Sequence, residues 1–365
     1  MPKKVKKVCL VTISLAKGGV ERSVAQLSHM LDDLGHKVHI VTLNDAVDYE
    51  YSGQLFNLGK YKTADNNFLK RLLRFRKLRA YLVKNRFDFI IDHRPKNDLK
   101  REKFYLRYVY KGFRKIYVVH SSHPTMYLTD TSQNAQQVYQ NNFATVAVSK
   151  YIEQENLIKK GITNAQTIYN AVDFNREISS DPFPPSLQNK KYLLAYGRID
   201  DEVKDFSFLM DAYQASEVWK KNFYLVILGD GKDKDVLLQK ATQMPCGQNI
   251  LFLPFTNQPF KVVSKSHFVT LTSKFEGFPM VLAESLSLGI PVVSLDIVSG
   301  PSEIVKNKQN GLLVKERNPQ AFGDAIKLMT ENQDLYNHCK NQAKSSVAHL
   351  SKEQIARQWD QLISM

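Results

Sequence analysis

The sequence predicts an α/β protein of two doubly wound domains, each a parallel sheet with helices on both faces. Three observations lead there. Its 365 residues exceed one ordinary core and suit two domains, each of roughly 150 to 200 residues. Short apolar, β-branched runs alternate with helical patterns through the chain, the mark of strands buried on both faces. The alternation breaks at Asp181-Pro182-Phe183-Pro184-Pro185, which neither a helix nor a central strand accommodates. A linker is expected there, separating a domain over 1–180 from one over 181–350, with 351–365 as a terminal helix packing back on the first domain.

The elements follow in order. Val8 to Ser14 reads as a first strand, and Glu21 to Leu34 as a helix carrying Val24, Leu27 and Leu31 before the stop at Gly35. Lys3, Lys4, Lys6 and Lys7 ahead of that apolar run give it a passing likeness to a signal peptide, but the run is short and lacks a small-residue cleavage pattern. Val38 to Leu43, Phe87 to Ile91, Ile116 to His120 and Ala144 to Val148 are further strands. Beyond the linker come strand Tyr192 to Tyr196, helix Phe206 to Ala215, strand Tyr224 to Leu228, helix Val236 to Ala241 and strand Ile250 to Leu253. Strand Phe268 to Leu271, helix Met280 to Leu288, strand Pro291 to Leu295 and a helical region from Pro319 complete the series. Two sheets of this kind bind ligands at the C-terminal ends of their strands, so a cleft between them is the expected site.

Composition narrows the class. With 43% hydrophobic residues the chain is globular rather than disordered. Cys9, Cys246 and Cys339 are odd in number and widely spaced, which supports neither a disulfide framework nor a zinc site and implies a reducing compartment. No stretch approaches the ~20 apolar residues that span a bilayer. The net charge is +15, and residues 1–180 hold 30 Lys and Arg against 16 Asp and Glu, so nearly all the excess belongs to the first half. Within 61–115 there are 18 basic and 5 acidic residues, which implies different partners for the two halves.

The most informative segment runs from Ser273 to Pro291. Pro279 suits the first turn of a helix and Gly289 its stop. Glu284 falls inside that helix among apolar and small residues, where a carboxylate needs a partner such as the hydroxyls of a ribose. Glu276 lies in the preceding loop beside Gly277, Phe278 and the helix N-terminus, whose amides favour an oxygen-rich ligand. The alternative is a capping glutamate and a glutamate that reaches solvent. Ahead of this segment, Gly197 and Arg198 end an apolar strand and Lys204 follows, a spacing that taken alone marks a solvated surface pair.

Two glutamates separated by seven residues, Glu276 and Glu284, resemble the hallmark of the retaining glycosyltransferases of family 4, glycosyl transferases group 1, which have the GT-B fold of two Rossmann-like domains facing across a cleft. The resemblance implies that Glu284 contacts the donor ribose and Glu276 the transferred sugar, aided by amides of the following turn at Phe278 and only in part at Pro279, which has no N–H, with Gly277 also beside the donor, while Arg198 and Lys204 grip the donor diphosphate. It further assigns Gly18 and Gly19 of Gly18-Gly19-Val20-Glu21-Arg22 to the loop that closes on the donor phosphates, and His120 to the side of the donor sugar, with His123 as a neighbouring competitor. Ala147-Val148-Ser149 and Ile168 to Asp173 resemble the family's segment leading out of the first domain. Gly229-Asp230-Gly231, Leu253-Pro254-Phe255 and Gly311 to Val314 resemble second-domain landmarks, with Gly229, Pro254 and Phe255 beside the donor. Ser299-Gly300-Pro301-Ser302-Glu303 departs from the family's Gly-x-Pro-Glu. Asp92, His93 and Arg94 follow a strand and are candidates to touch acceptor or donor.

The resemblance thus implies a hexosyl transfer from a nucleotide sugar, UDP-linked before GDP-linked, to a glycan or lipid-linked glycan in surface polysaccharide or lipopolysaccharide synthesis. No metal or other cofactor is expected, since no Asp-x-Asp motif lies at a strand end and side chains and helix dipoles serve the diphosphate instead. A sugar phosphorylase or nucleotide-sugar epimerase of the same fold and a catalytically dead scaffold are the rivals. A nucleic-acid binder is the rival of another class, favoured only by the pI near 9.4 and lacking aromatic-basic recognition modules. The basic helix Phe68 to Lys84 carries Leu69, Leu72, Phe75, Leu78 and Leu82 at helical spacing, a basic amphipathic pattern. For the helix by itself, the stripe is expected to pack on its own sheet with the cations as a solvated face; the excess charge of the whole first half leads instead to the expectation of a cytoplasmic protein bound peripherally to the anionic inner face of the membrane.

Overall fold

The computed structural model describes every residue except 1–4, 17, 63–66, 177, 179 and 181. Lys3 and Lys4, Lys17 ahead of the first glycine loop and Asp181 of the proline stretch lie outside the described residues. The chain divides into two compact units, Met1–Ala171 with Lys352–Met365, and Val172–Ser351. The first unit thus ends at Ala171, ahead of the expected boundary at 180, because Val172 pairs with the second unit: its N–H donates to the Leu350 carbonyl at 2.8 Å.

The first unit is built on a parallel sheet of seven strands, β1 (Lys7–Thr12), β2 (Lys37–Thr42), β3 (Gln54–Asn57), β4 (Phe89–Asp92), β5 (Lys115–Val119), β6 (Ala144–Ala147) and β7 (Ala165–Thr167), in the order β3-β2-β1-β4-β5-β6-β7. Val8 to Val11 of β1 are fully buried, as a central strand covered on both faces requires. The two edge strands, β3 and β7, escaped the sequence reading because they are only four and three residues long and incompletely buried, so no extended apolar run marks them. The helix Gly19–Asp33 buries Val24, Leu27, Met30 and Leu31. The terminal helix Lys352–Ser364 packs beside it, and Asp360 Oδ1 lies 2.9 Å from Nε2 of the buried His36.

The helix Phe68–Asn85 turns two kinds of apolar residue in different directions. Leu78 and Leu82 are buried in the core and Leu72 and Phe75 are half-covered. Leu69 at 67%, Leu73 at 55% and Val83 at 49% stay exposed, among exposed Arg71, Arg76, Lys77 and Lys84. The predicted stripe therefore packs on its own sheet except at Leu69, and a second apolar line faces outward. Arg79 is drawn into structure, donating to the carbonyls of Val109 and Lys111.

The second unit carries six parallel strands, β8 (Lys191–Tyr196), β9 (Phe223–Leu228), β10 (Ile250–Leu253), β11 (Phe268–Leu271), β12 (Val292–Leu295) and β13 (Gly311–Val314), ordered β10-β9-β8-β11-β12-β13. Its core joins Leu193, Leu225, Ile227 and Val293 of the sheet to Leu209, Met210 and Tyr213 of helix Phe206–Ser216 and to Phe322, Ile326 and Met329 of helix Pro319–Glu331. Cys9, Cys246 and Cys339 are all free and buried, with burial pushing each thiol up. Among the described residues no helix is long and apolar enough to cross a membrane.

Candidate active site

In the second unit the candidate residues gather at the C-terminal ends of β8, β9 and β11. Two backbones touch where β8 and β9 end. Gly229, at φ +155°, could not carry a Cβ, which would stand 1.9 Å from the Gly197 carbonyl oxygen. That close approach fixes where the chain leaves β8 and hence where Arg198 begins. The Arg198 side chain is 69% exposed, with Nε 3.9 Å from Asp200 Oδ2. Lys204 ends the short turn Asp201–Lys204, and its Nζ donates to Glu276 Oε1 at 2.6 Å. The buried Ser273 hydroxyl donates to the same oxygen at 2.7 Å. The two members expected to grip the diphosphate and the sugar thus lie side by side, although 72 positions separate them.

Glu284 sits in the helix Met280–Ser287 and is 1% exposed. Part of its expected need for partners is met by the protein. The Tyr196 hydroxyl lies 3.2 Å from Glu284 Oε2 and 3.1 Å from the Val281 carbonyl, and Arg176 Nη2 is 3.7 Å from Glu284 Oε1. Arg176 in turn stacks on Phe260, its guanidinium 3.6 Å from the ring centre. Neither Tyr196 nor Arg176 was singled out from the sequence. Tyr196 closes a strand directly before Gly197 and Arg198, the one local signal that could have found it.

Pro279 is the N-cap rather than a first-turn residue, with φ −76° and ψ 85°, while Gly289, at φ +77°, stops the helix as expected. The turn Gly277-Phe278-Pro279 is buried under the divergent Ser299-Gly300 segment: the Ser299 hydroxyl donates to the Gly277 carbonyl at 3.2 Å. A Cβ on Gly300 would meet Pro279 Cδ at 2.4 Å, so glycine is required at that contact. Pro254 and Phe255 are exposed, Phe255 at 45%, just beyond β10.

In the first unit the registers of β1 with β4 and of β4 with β5 align the strand ends, so the residues that follow them meet. His93 Nδ1 and His120 Nε2 are 2.9 Å apart, with the rings stacked at 5.2 Å between centroids. Burial pulls His93 down to about 3 and His120 well below its ordinary value, so both are neutral imidazoles near pH 7. The pair lines a space of about 20 Å³ with Ser23, Tyr169 and Asn170, room for about one water. His123 is half-buried, its Nδ1 3.0 Å from the Thr125 hydroxyl. Gly18 is the N-cap of the first helix, where a Cβ would stand 1.9 Å from Glu21 Oε2, whereas Gly19 has open space around it.

Asp92 and Arg94 occupy a different place from the substrate-facing one expected. Both are buried, and Arg94 Nη2 donates to Asp92 Oδ2 at 2.7 Å and to Glu102 Oε2 at 3.2 Å, with its guanidinium 3.6 Å from the centre of Tyr105. Burial alone would raise the Asp92 carboxyl, but Arg94 and Lys96 hold it below the usual range. The fully buried Lys96 donates to the carbonyls of Asp92 and Arg94, which bracket His93. These charges are spent on one another, and their effect is to clamp the backbone that presents His93. Isolated buried charges would be too costly, which is why they occur as a network.

The comparisons with known proteins agree across the chain. Residues 178–346 match the model of "Glycosyl transferases group 1", and residues 17–176 that of "Glycosyltransferase Family 4". The chain is 28% identical over 378 residues, covering 96% of it and 97% of the relative, to the N-acetylgalactosamine-N,N'-diacetylbacillosaminyl-diphospho-undecaprenol 4-alpha-N-acetylgalactosaminyltransferase of Campylobacter jejuni. Its fold is that of Anabaena HepE, solved with UDP and glucose (TM-score 0.78, 18% identity, 98% of this chain and 99% of that one). The same holds for TarM of S. aureus, solved as a mutant with Fondaparinux, alpha-GlcNAc-glycerol and UDP (TM-score 0.77, 15% identity, 99% and 100%). With the parallel sheets and the Glu276 and Glu284 pair already in place, the chain belongs to the group 1, family 4 glycosyltransferases of the GT-B fold.

Proposed function

We propose that the chain moves a sugar from a UDP-linked donor to a lipid-linked glycan, with retention of anomeric configuration and without a divalent cation, in the synthesis of a cell-envelope polysaccharide. The observation that carries this reading is the meeting of Lys204 and Glu276 beyond the ends of β8 and β11, a cation held to a carboxylate at 2.6 Å, with the exposed Arg198 on the loop that leaves β8. As the bond from sugar to phosphate breaks, negative charge grows on the departing diphosphate, and Arg198 and Lys204 stabilise it in place of a metal. Glu284 holds the ribose and Glu276 orients the sugar hydroxyls, with the amides of Gly277 and Phe278 beside it. The acceptor hydroxyl attacks from the face the nucleotide leaves, and its proton passes to an oxygen of the departing phosphate. In the first unit Gly18, Gly19, His120, His93 and His123 are proposed to act on the substrates.

A lipid-linked acceptor is supported by the Campylobacter relative, whose name gives a diphospho-undecaprenol acceptor. It is supported also by the charge of residues 1–180 and by the outward line Leu69, Leu73 and Val83 among basic residues. Such a surface suits peripheral docking on the inner, anionic face of the cytoplasmic membrane.

The test is a panel of UDP- and GDP-sugars incubated with polyprenyl-diphosphate-linked glycans, with and without excess EDTA, read by mass spectrometry and NMR. Transfer that survives chelation and keeps the donor's anomeric configuration supports the reading. An inverted product removes the retaining mechanism, and nucleotide release that requires added cation removes the metal-free one.

A further inference from the structure

Lys204 and Glu276 stand on loops that follow the neighbouring strands β8 and β11, which pair at Leu193 with Phe268 and Leu194 with Val269. Beyond the sheet, hydrogen bonds tie the two loops in three places, besides the Lys274 and Asp205 ion pair at 3.9 Å. The Lys274 N–H donates to the Val203 carbonyl at 2.8 Å. The Thr272 hydroxyl lies 3.1 Å from the carbonyls of both Lys204 and Asp205. The third tie comes from a distant segment: Arg317, in the loop between β13 and helix Pro319–Glu331, sends Nη1 to Asp205 Oδ2 at 2.6 Å and to the Thr272 carbonyl at 3.0 Å, and Nη2 to the Ser273 carbonyl at 2.6 Å.

We propose that Arg317 is a positioning residue for the transfer site, holding the Lys204 loop against the Glu276 loop so that cation and carboxylate keep their spacing. One planar guanidinium serves three acceptors on two loops, a task for a rigid fork and not for the single point charge of a lysine. What it grips is adjacent to the chemistry on each side. Asp205 follows Lys204 directly, and the Ser273 hydroxyl donates to Glu276 Oε1 at 2.7 Å. Asp205 also occupies the left-handed region, at φ +54° and ψ 50°, a conformation that residues with a side chain adopt less readily than glycine. Arg317 itself lies outside every motif that carries the family resemblance.

This proposal rests on the reading of Lys204 as a diphosphate ligand, so its test measures the two residues together. The probe is UDP or GDP, whichever the native chain binds more tightly by isothermal titration. Lys204→Ala is expected to weaken nucleotide binding about tenfold, and Arg317→Gln about three- to tenfold, with circular dichroism unchanged. In the Lys204→Ala background Arg317→Gln is expected to add less than a factor of about two, because the residue it positions is gone. Arg317→Lys, which keeps the charge opposite Asp205 but loses the fork, should fall between native and Arg317→Gln. If Lys204→Ala weakens binding and Arg317→Gln costs the same factor in both backgrounds, or costs nothing, Arg317 is structural only and the proposal fails alone. If Lys204→Ala leaves affinity intact, the diphosphate reading fails and takes this proposal with it. Should Arg317→Gln not fold, Asp205→Asn removes one arm of the fork and is judged by the same cycle.

Discussion

Lys204 Nζ and Glu276 Oε1 lie 2.6 Å apart, so the two side chains proposed for opposite ends of the donor's breaking bond hold each other. A donor must divide them, offering phosphate oxygens to the lysine and sugar hydroxyls to the glutamate. Both side chains are mostly covered, Lys204 at 20% and Glu276 at 13% exposure, so the exchange takes place where water screens charge less than at an open surface.

The first expectation concerns the cations. Arg198→Ala and Lys204→Ala should each lower turnover by about 10²-fold, since they act on charge that grows during bond breaking. Arg198 is mostly exposed, so its removal should leave the melting temperature almost unchanged. Steady-state rates together with thermal melts check this, and near-native rates in either variant would take away its diphosphate role.

The glutamates should divide by function. Glu284→Gln weakens nucleotide binding, because a ribose is present in donor and free nucleotide alike. Glu276→Gln should abolish most transfer yet keep nucleotide affinity, since it meets only the sugar and its loss releases Lys204 toward phosphate. Calorimetry with the nucleoside diphosphate decides, and an equal loss of nucleotide affinity in both variants would show the roles misassigned.

Stability should fall with acid through the histidine pair. Burial pulls His93 from 6.5 to about 3, opposed by Asp92 and reinforced by Lys96, and pulls His120 well below 6.5. Below pH 6.5 the unfolded chain binds protons that the folded chain refuses, so the contribution is complete above that pH and is lost as the pH falls toward 3. Urea midpoints should be lower at pH 5 than at pH 7.5, and His93→Gln should shrink the difference. An unchanged pH dependence in that variant would contradict the assignment.

The basic first half should bind anionic membranes. Co-sedimentation with phosphatidylglycerol vesicles is expected at low salt and should fade as salt rises, with neutral phosphatidylcholine vesicles binding little. Leu69→Ser with Leu73→Ser should weaken it without unfolding the chain, since both side chains are exposed. Equal binding to both vesicle types, or none near physiological salt, would leave a soluble anionic saccharide as the simpler acceptor.

The sequence by itself determined the two parallel α/β halves, since buried central strands such as Val8 to Val11 and Leu225 to Leu228 are continuous apolar runs wherever they fall. It determined the helix Met280–Ser287 and the stop at Gly289 as well, because a helix and its cap are set by residues a few positions apart. Edge strands β3 and β7 stayed hidden, for they are too short and too little buried to form an extended apolar run. Only the tertiary structure decided which distant groups meet: Lys204 with Glu276, Arg176 with Glu284, Arg317 with Asp205 and Ser273. It alone turned Asp92 and Arg94 inward, with Arg94 between Asp92 and Glu102, and set His93 against His120. Those pairings depend on strand order and register, which bring segments tens of residues apart to one sheet edge, and no local pattern of residues carries that information.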